Sequence, residues 1–216
     1  NPSILELIQY GRCFFMGKLL KLALVLFALV GIVTTVTLCR DKELLQEHLV
    51  RLHVVANSDS ETDQAQKLQV RDAVLSYLEP AMEAISDPQE AVAYLQSHLG
   101  DLEQVANEAL EKAGSALQAV VSLDMEEFTT RVYDTFTLPA GIYQSLRIEI
   151  GEGEGHNWWC VVFPSLCVPA TSDGFEVQAV DGGLSPGLAN SLTQGRYSIR
   201  FRLLDWLGQL ENFFRG

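Results

Sequence analysis

The sequence predicts an α+β protein: an N-terminal membrane or signal helix, then one mixed domain with an antiparallel sheet covered by about three helices. Three observations carry this. Residues 22–39 (LALVLFALVGIVTTVTLC) form an uncharged run. Apolar residues recur at helical spacing between 61 and 114. After Gly114 the period falls to two, the signature of strands.

The apolar run is just long enough to cross a bilayer. Lys18 and Lys21 precede it and belong on the cytosolic side, so everything after Arg40 lies outside the cytosol. Small residues of the Ala-x-Ala type are missing near its end, which favours an uncleaved anchor over a cleaved signal peptide. Met16-Gly17-Lys18 reads as a translation start, leaving 1–15 as an upstream extension. The expected organisation is therefore 16–40 anchor or signal, 41–170 exported α+β domain, 171–195 flexible loop, and 196–216 a C-terminal strand and amphipathic helix.

Arg51 to Ala56 (RLHVVA) reads as a strand. Asn57-Ser58-Asp59-Ser60 is a turn and cap cluster, and a helix starts near Glu61, with Pro80 kinking or ending it. Asp87-Pro88-Gln89-Glu90 caps a second helix, with Gly100 as its stop. A third ends at Gly114. Strands are expected over 117–123, 128–137, 146–150 and 158–163. Pro139-Ala140-Gly141 is a turn, and GEGEGHN at 151–157 is a tight or extended one. Leu203 to Phe214 gives an amphipathic helix that packs in the core or else docks on a partner or a bilayer.

Composition narrows the function. The chain has 216 residues, 48% hydrophobic, with a net charge of −13. Four of the 15 basic residues, but only one of the 28 acids, precede residue 41. So acidic a surface repels phosphates, and nucleic acid and anionic membrane surfaces are expected to be poor partners. No H-E-x-x-H or Walker sequence occurs. Glu152 and Glu154 make GEGEG a poor phosphate cradle. Asn57, Asp59, Glu61 and Asp63 faintly match a calcium loop, but Thr62 stands where its glycine should be, so helix capping explains them better. His53, in a strand, reads as a tolerated core or edge residue. Neither a metal nor a cofactor is expected. Cys160 and Cys167 enclose VVFPSL, and two near cysteines in an oxidising space usually pair. Such a bridge would stabilise by about 2–3 kcal/mol. The alternative is two reduced buried thiols.

LHVVANSDSETDQAQKLQVRDAV at 52–74, LPAGIYQSLRIEIGEGEGHNWWCVVFPSLC at 138–167 and RFRLLDWLG at 200–208 resemble the opening, central and closing blocks of the stage II sporulation protein R family. Ser165 stands where that family has a second proline. The resemblance spans about 44–210. It implies a signalling protein of endospore formation, not an enzyme. Such a protein is exported from the forespore into the space between forespore and mother-cell membranes. There it activates a membrane-embedded aspartic protease of the mother cell that processes the sigma-E precursor. The expected partners are that protease and, through the N-terminal helix, the membrane; no small-molecule substrate is expected.

The family carries no catalytic residues to transfer. Trp158 and Trp159 are the best partner anchors: adjacent strand residues face opposite ways, so one packs inward and the other can be exposed. Asn157, Gly151, Gly153 and Gly155 shape the turn, and a Cys160–Cys167 bridge would hold the following loop. The working surface is thus expected on a Gly151–Cys167 hairpin. Two rival classes stay open. One is a secreted hydrolase using the Asn57–Asp63 loop with Arg71, Asp72 and His156. The other is a structural envelope protein.

Overall fold

The computed structural model describes residues 4–133, 136–164, 174–194 and 199–215. The chain divides into two compact units, Asn1–Arg40 and Asp41–Gly216. The described residues of the first belong to a helix, α1 (Ile4–His48). From Lys18 on it is long and apolar enough to cross a membrane. Its large apolar side chains are exposed from Leu19 to Val36. Thr34, Thr35 and Thr37 do not break it. Each hydroxyl donates to the carbonyl four residues back, at 2.8–2.9 Å, and so carries its own acceptor into an apolar setting.

In the second unit β1 (Val50–Val55) is buried throughout. Helices α2 (Glu61–Ala84), α3 (Pro88–Ser97) and α4 (Leu99–Lys112) follow. Ser60 caps α2 by accepting from the Asp63 amide, and Asp87 caps α3 by accepting from the Gln89 amide. Pro80 lies inside α2, which continues to Ala84, so of the kink or end expected there the end is excluded. One expectation is corrected here. Gly100 sits in the first turn of α4, not at the end of α3, which closes at His98. Gly114, at φ +73°, does take the left-handed turn that follows α4.

Four strands make the main sheet: β1, β2 (Ala119–Phe128), β5 (Gly141–Ile150) and β6 (Asn157–Phe163), in the order β2-β5-β1-β6. The short β3 (Arg131–Val132) and β4 (Thr137–Leu138) pair with each other and replace the longer strand expected over 128–137. The α+β class holds, but the sheet is mixed. β1 runs antiparallel to β6 and parallel to β5. A parallel pair needs a long crossover, and α2, α3, α4 and β2 supply it.

One face of the sheet packs against α2, α3 and α4. Leu52, Val54, Leu146 and Ile148 meet Val70, Val74, Leu95, Leu102 and Ala106, all 0% exposed. Each large aliphatic side chain buried there stabilises by about 1.5–3 kcal/mol.

The 171–195 segment, expected as a loop, contains α5 (Gly174–Asp181) and α6 (Pro186–Gln194). The expected last strand is instead the start of α7 (Ile199–Arg215), while Tyr197 and Ser198 lie outside the described residues. Phe201 and Leu204 are buried, and α7 packs against the start of β5. Gly208 allows this approach: a Cβ there would lie 1.6 Å from the Ala140 carbonyl oxygen.

Candidate functional site

The segment GEGEGHN is not a hairpin turn, and the expected Gly151–Cys167 hairpin is corrected accordingly. β5 and β6 both flank β1, so residues 151–156 arch over the end of β1. Their partner is the loop leaving that end, Asn57–Ser60. The amide of Gly155 donates to the Ala56 carbonyl at 2.9 Å, and that of Glu154 to the Asn57 carbonyl at 3.2 Å. The Glu152 amide donates to Asn57 Oδ1 and the His156 amide to Asp59 Oδ1. Side chains could not fit between these strands of loop. A Cβ on Gly151 would stand 2.3 Å from Asn57 Oδ1, and one on Gly155 2.3 Å from the Ser58 carbonyl oxygen.

The loop is tied equally firmly to α2. Asn57 Nδ2 and Ser58 Oγ both donate to Asp63 Oδ2, at 2.9 and 2.5 Å. Those bonds, Ser58's first, hold the Asp63 carboxyl below its usual range. Asp59 is likewise held down, by the backbone N–H of His156 and then by its ring. Lys67 donates to Gln64 Oε1 and to the His156 carbonyl, and burial lowers its pKa.

Asn57, Asp59 and His156, named in the hydrolase reading, thus do converge. Their polar atoms are engaged in holding two loops together, and the His156 and Asp59 side chains are more than half exposed. Asp72 pairs with Arg71 at 2.6 Å.

The two tryptophans part as strand geometry requires. Trp158 is 37% exposed and lies under the guanidinium of Arg71, 4.2 Å from the ring centre. β6 is an edge strand, so this ring stands at the rim of the sheet. Trp159 turns to the opposite face, where it stacks on His53 and meets Phe128 edge-on. Cys160 is buried; Cys167 lies outside the described residues.

That opposite face holds a polar network the sequence reading missed. His53, 3% exposed, donates from Nδ1 to Glu126 Oε1 at 2.7 Å, and its Nε2 lies 2.9 Å from Asn157 Oδ1. Ser145 Oγ donates to Glu126 Oε2 at 2.7 Å and Arg147 Nη1 to Oε1 at 2.9 Å. Burial pushes the Glu126 carboxyl up, but the bonds from His53 and Ser145 outweigh it, leaving it below its ordinary value. Arg147 is raised: burial opposes this, yet Glu149 and Glu126 on either side prevail.

The signal was present as alternation. Arg51 and His53 interrupt the apolar run of β1 at every second position, as Ser145, Arg147 and Glu149 do in β5. Only the register, His53 opposite Arg147 and Trp159, shows that they meet.

Chemically the network is a brace. The Ser145 hydroxyl gives its hydrogen bond to the carboxylate and not to the imidazole, so the hydroxyl-to-base contact of nucleophilic hydrolysis is not made. Among the described residues no cluster of three or more His, Cys, Asp or Glu is placed to hold a metal ion.

An N-terminal helix with the length and composition of a signal or membrane anchor is followed by a mixed α+β domain in which two loops are clasped beside an exposed tryptophan. The family model for stage II sporulation protein R matches residues 46–173. The stage II sporulation protein R of Bacillus subtilis (strain 168) is 35% identical over 154 residues, covering 70% of this chain and 69% of that protein. The chain belongs to the stage II sporulation protein R family, and its role is in sporulation. No solved structure matches it significantly.

Proposed function

We propose that this chain is an intercompartmental signal of endospore formation that works by binding and not by catalysis. Made in the forespore, it passes into the space between the forespore and mother-cell membranes, either released by cleavage or held by α1. There it activates the membrane-embedded aspartic protease of the mother cell that processes the sigma-E precursor.

The observation that carries this reading is Trp158: a large aromatic exposed at a sheet edge, beside an arch locked to the Asn57–Ser60 loop. Rigid aromatic anchors are what protein interfaces use. The proposed contact surface is Trp158 with the arch at Gly151, Gly153 and Gly155. Asn157 and Trp159 brace it from below through His53. We further propose that Cys160 pairs with Cys167. In support, the buried Cys160 stands only seven residues from Cys167 in the chain, and Cys39 is a free thiol. Peptide mapping of the exported protein without reductant should recover a linked Cys160–Cys167 fragment; free thiols at both positions would refute the pairing.

The functional test is co-expression of the chain, the protease and the precursor in a non-sporulating host, scored for precursor cleavage. Cleavage that needs this chain, and fails with Trp158→Ala, supports the reading. Cleavage indifferent to the chain overturns it.

A further inference from the structure

Helix α7 is apolar on two faces. Phe201, Leu204 and Gly208 take the inner one against the fold. On the outer one stand Ile199 and Phe213, each 77% exposed, Trp206 at 59%, and Leu203 and Leu210 at 37%. Positions 199, 203, 206, 210 and 213 step by four and three residues, so they form one continuous stripe along the helix. The fold leaves this stripe uncovered among the described residues.

We infer that the outer face of α7 lies on the lipid bilayer, its aromatic and aliphatic side chains entering the interfacial layer. This rests on the apolar run being in the membrane and not on the protease reading.

Three observations select lipid as the occupant. First, α7 is clamped to the residues that follow the apolar run. Arg200 makes a two-pronged contact with Asp41, at 2.5 and 2.6 Å, and Glu211 takes Lys42 at 2.8 Å and Gln46 at 3.1 Å. Two residues of chain span at most about 7 Å, so a helix pinned to Asp41 is held close to wherever Cys39 ends the run. Second, Trp and Phe among Leu and Ile make up the stripe, the composition of helices that lie in the plane of a membrane interface. Third, both carboxylates of α7 are already engaged. Asp205 accepts from the Thr130 hydroxyl and the Ala140 amide, and Glu211 from Lys42. The acidity of the whole chain is therefore not presented by this helix to the headgroups.

Benzoylphenylalanine at Trp206 or Phe213 tests this. The full chain is reconstituted into vesicles of phosphatidylethanolamine and phosphatidylglycerol and irradiated. The exposed Gln104 of α4 serves as the control position. Circular dichroism checks that each substituted chain is folded, and two positions guard against one failing. Lipid adducts several-fold stronger at 206 and 213 than at 104 are expected. Three results would overturn the inference: no lipid adduct at either position, adducts equally strong at 104, or adducts of twice the chain mass, which would assign the face to a second copy.

Discussion

Trp159 lies face to face with His53, ring centroids 3.6 Å apart and planes 17° from parallel. The two sit opposite each other on β6 and β1. His53 in turn reaches Glu126 on β2, two strands away across β5. One stacked pair therefore couples the edge strand that presents Trp158 to the far side of the sheet.

The tryptophans should separate on mutation. Trp158→Ala removes an exposed ring and a cation–π contact with Arg71 worth about 0.5–1 kcal/mol, so the domain should melt nearly as wild type. If Trp158 is the partner anchor, binding falls by about 2 kcal/mol or more, roughly thirtyfold, and precursor processing fails. Trp159→Ala should behave oppositely: about 2–3 kcal/mol of stability lost, with processing falling only as folded protein falls. Thermal melts beside the co-expression assay read both. Wild-type processing by a folded Trp158→Ala protein removes this ring from the interface.

Glu126 sets the acid limit of the brace. Its carboxyl is held below the ordinary value, so its contribution is full above the unfolded carboxylate range. It is lost as pH falls through the folded value. Glu126→Gln keeps the shape but loses the charge facing His53 and Arg147. It should cost about 1–2 kcal/mol at neutral pH, a low figure because the group is partly exposed. The gap between mutant and wild type should close as pH drops below about 4, which denaturant titrations at several pH values would show. A gap independent of pH would mean the carboxylate charge is not what matters.

The helices and most strands were legible because caps and apolar periods are local. Ser60, Asp87 and Gly114 mark helix ends without reference to anything distant. What failed was non-local. Alternation in RLHVVA and in SLRIEI shows two faces but not that the two strands run parallel, nor that β1 separates β5 from β6. The glycine arch therefore resembles a hairpin in the sequence, and nothing local links His53 to Glu126, Ser145 and Arg147. The start of α7 misled for another reason. Ile199, Phe201 and Leu203 alternate as a strand would, because this helix is apolar on two faces.

The arch should tolerate alanine unevenly. At Gly153, φ is +64° and the added Cβ meets only the flexible Glu149 side chain, so backbone strain of about 1–2 kcal/mol dominates. At Gly155 the Cβ would strike the Ser58 carbonyl, which is backbone, and pry open the Gly155 to Ala56 bond. Gly155→Ala should thus cost about 2–3 kcal/mol and expose the Glu154, Gly155 and His156 amides, the donors of the clasp, to hydrogen exchange. Gly153→Ala should leave those amides protected. Equal protection in both variants would show that the clasp does not depend on close approach.

Arg51 carries the last prediction, and its sign is unusual. The side chain is fully buried, and Nε and Nη1 have no hydrogen-bond partner among the described residues. What it has is one bond to the Tyr133 hydroxyl at 3.0 Å and the face of Phe128 at 3.8 Å. Burial pulls its pKa down, as expected for a charge taken out of water. No carboxylate answers it among the described residues, so the desolvation cost is offset mainly by the rings, about 2 kcal/mol at best. Methionine fills a similar volume without that cost, and the half-buried Tyr133 can turn its hydroxyl to water. Arg51→Met should therefore melt within a few degrees of wild type or above it, whereas Arg51→Ala, which leaves a cavity, should lose about 2–4 kcal/mol. Urea unfolding of the two variants measures this. If Arg51→Met is as damaging as Arg51→Ala, the guanidinium is needed for its charge, and the fold contains an acceptor for it.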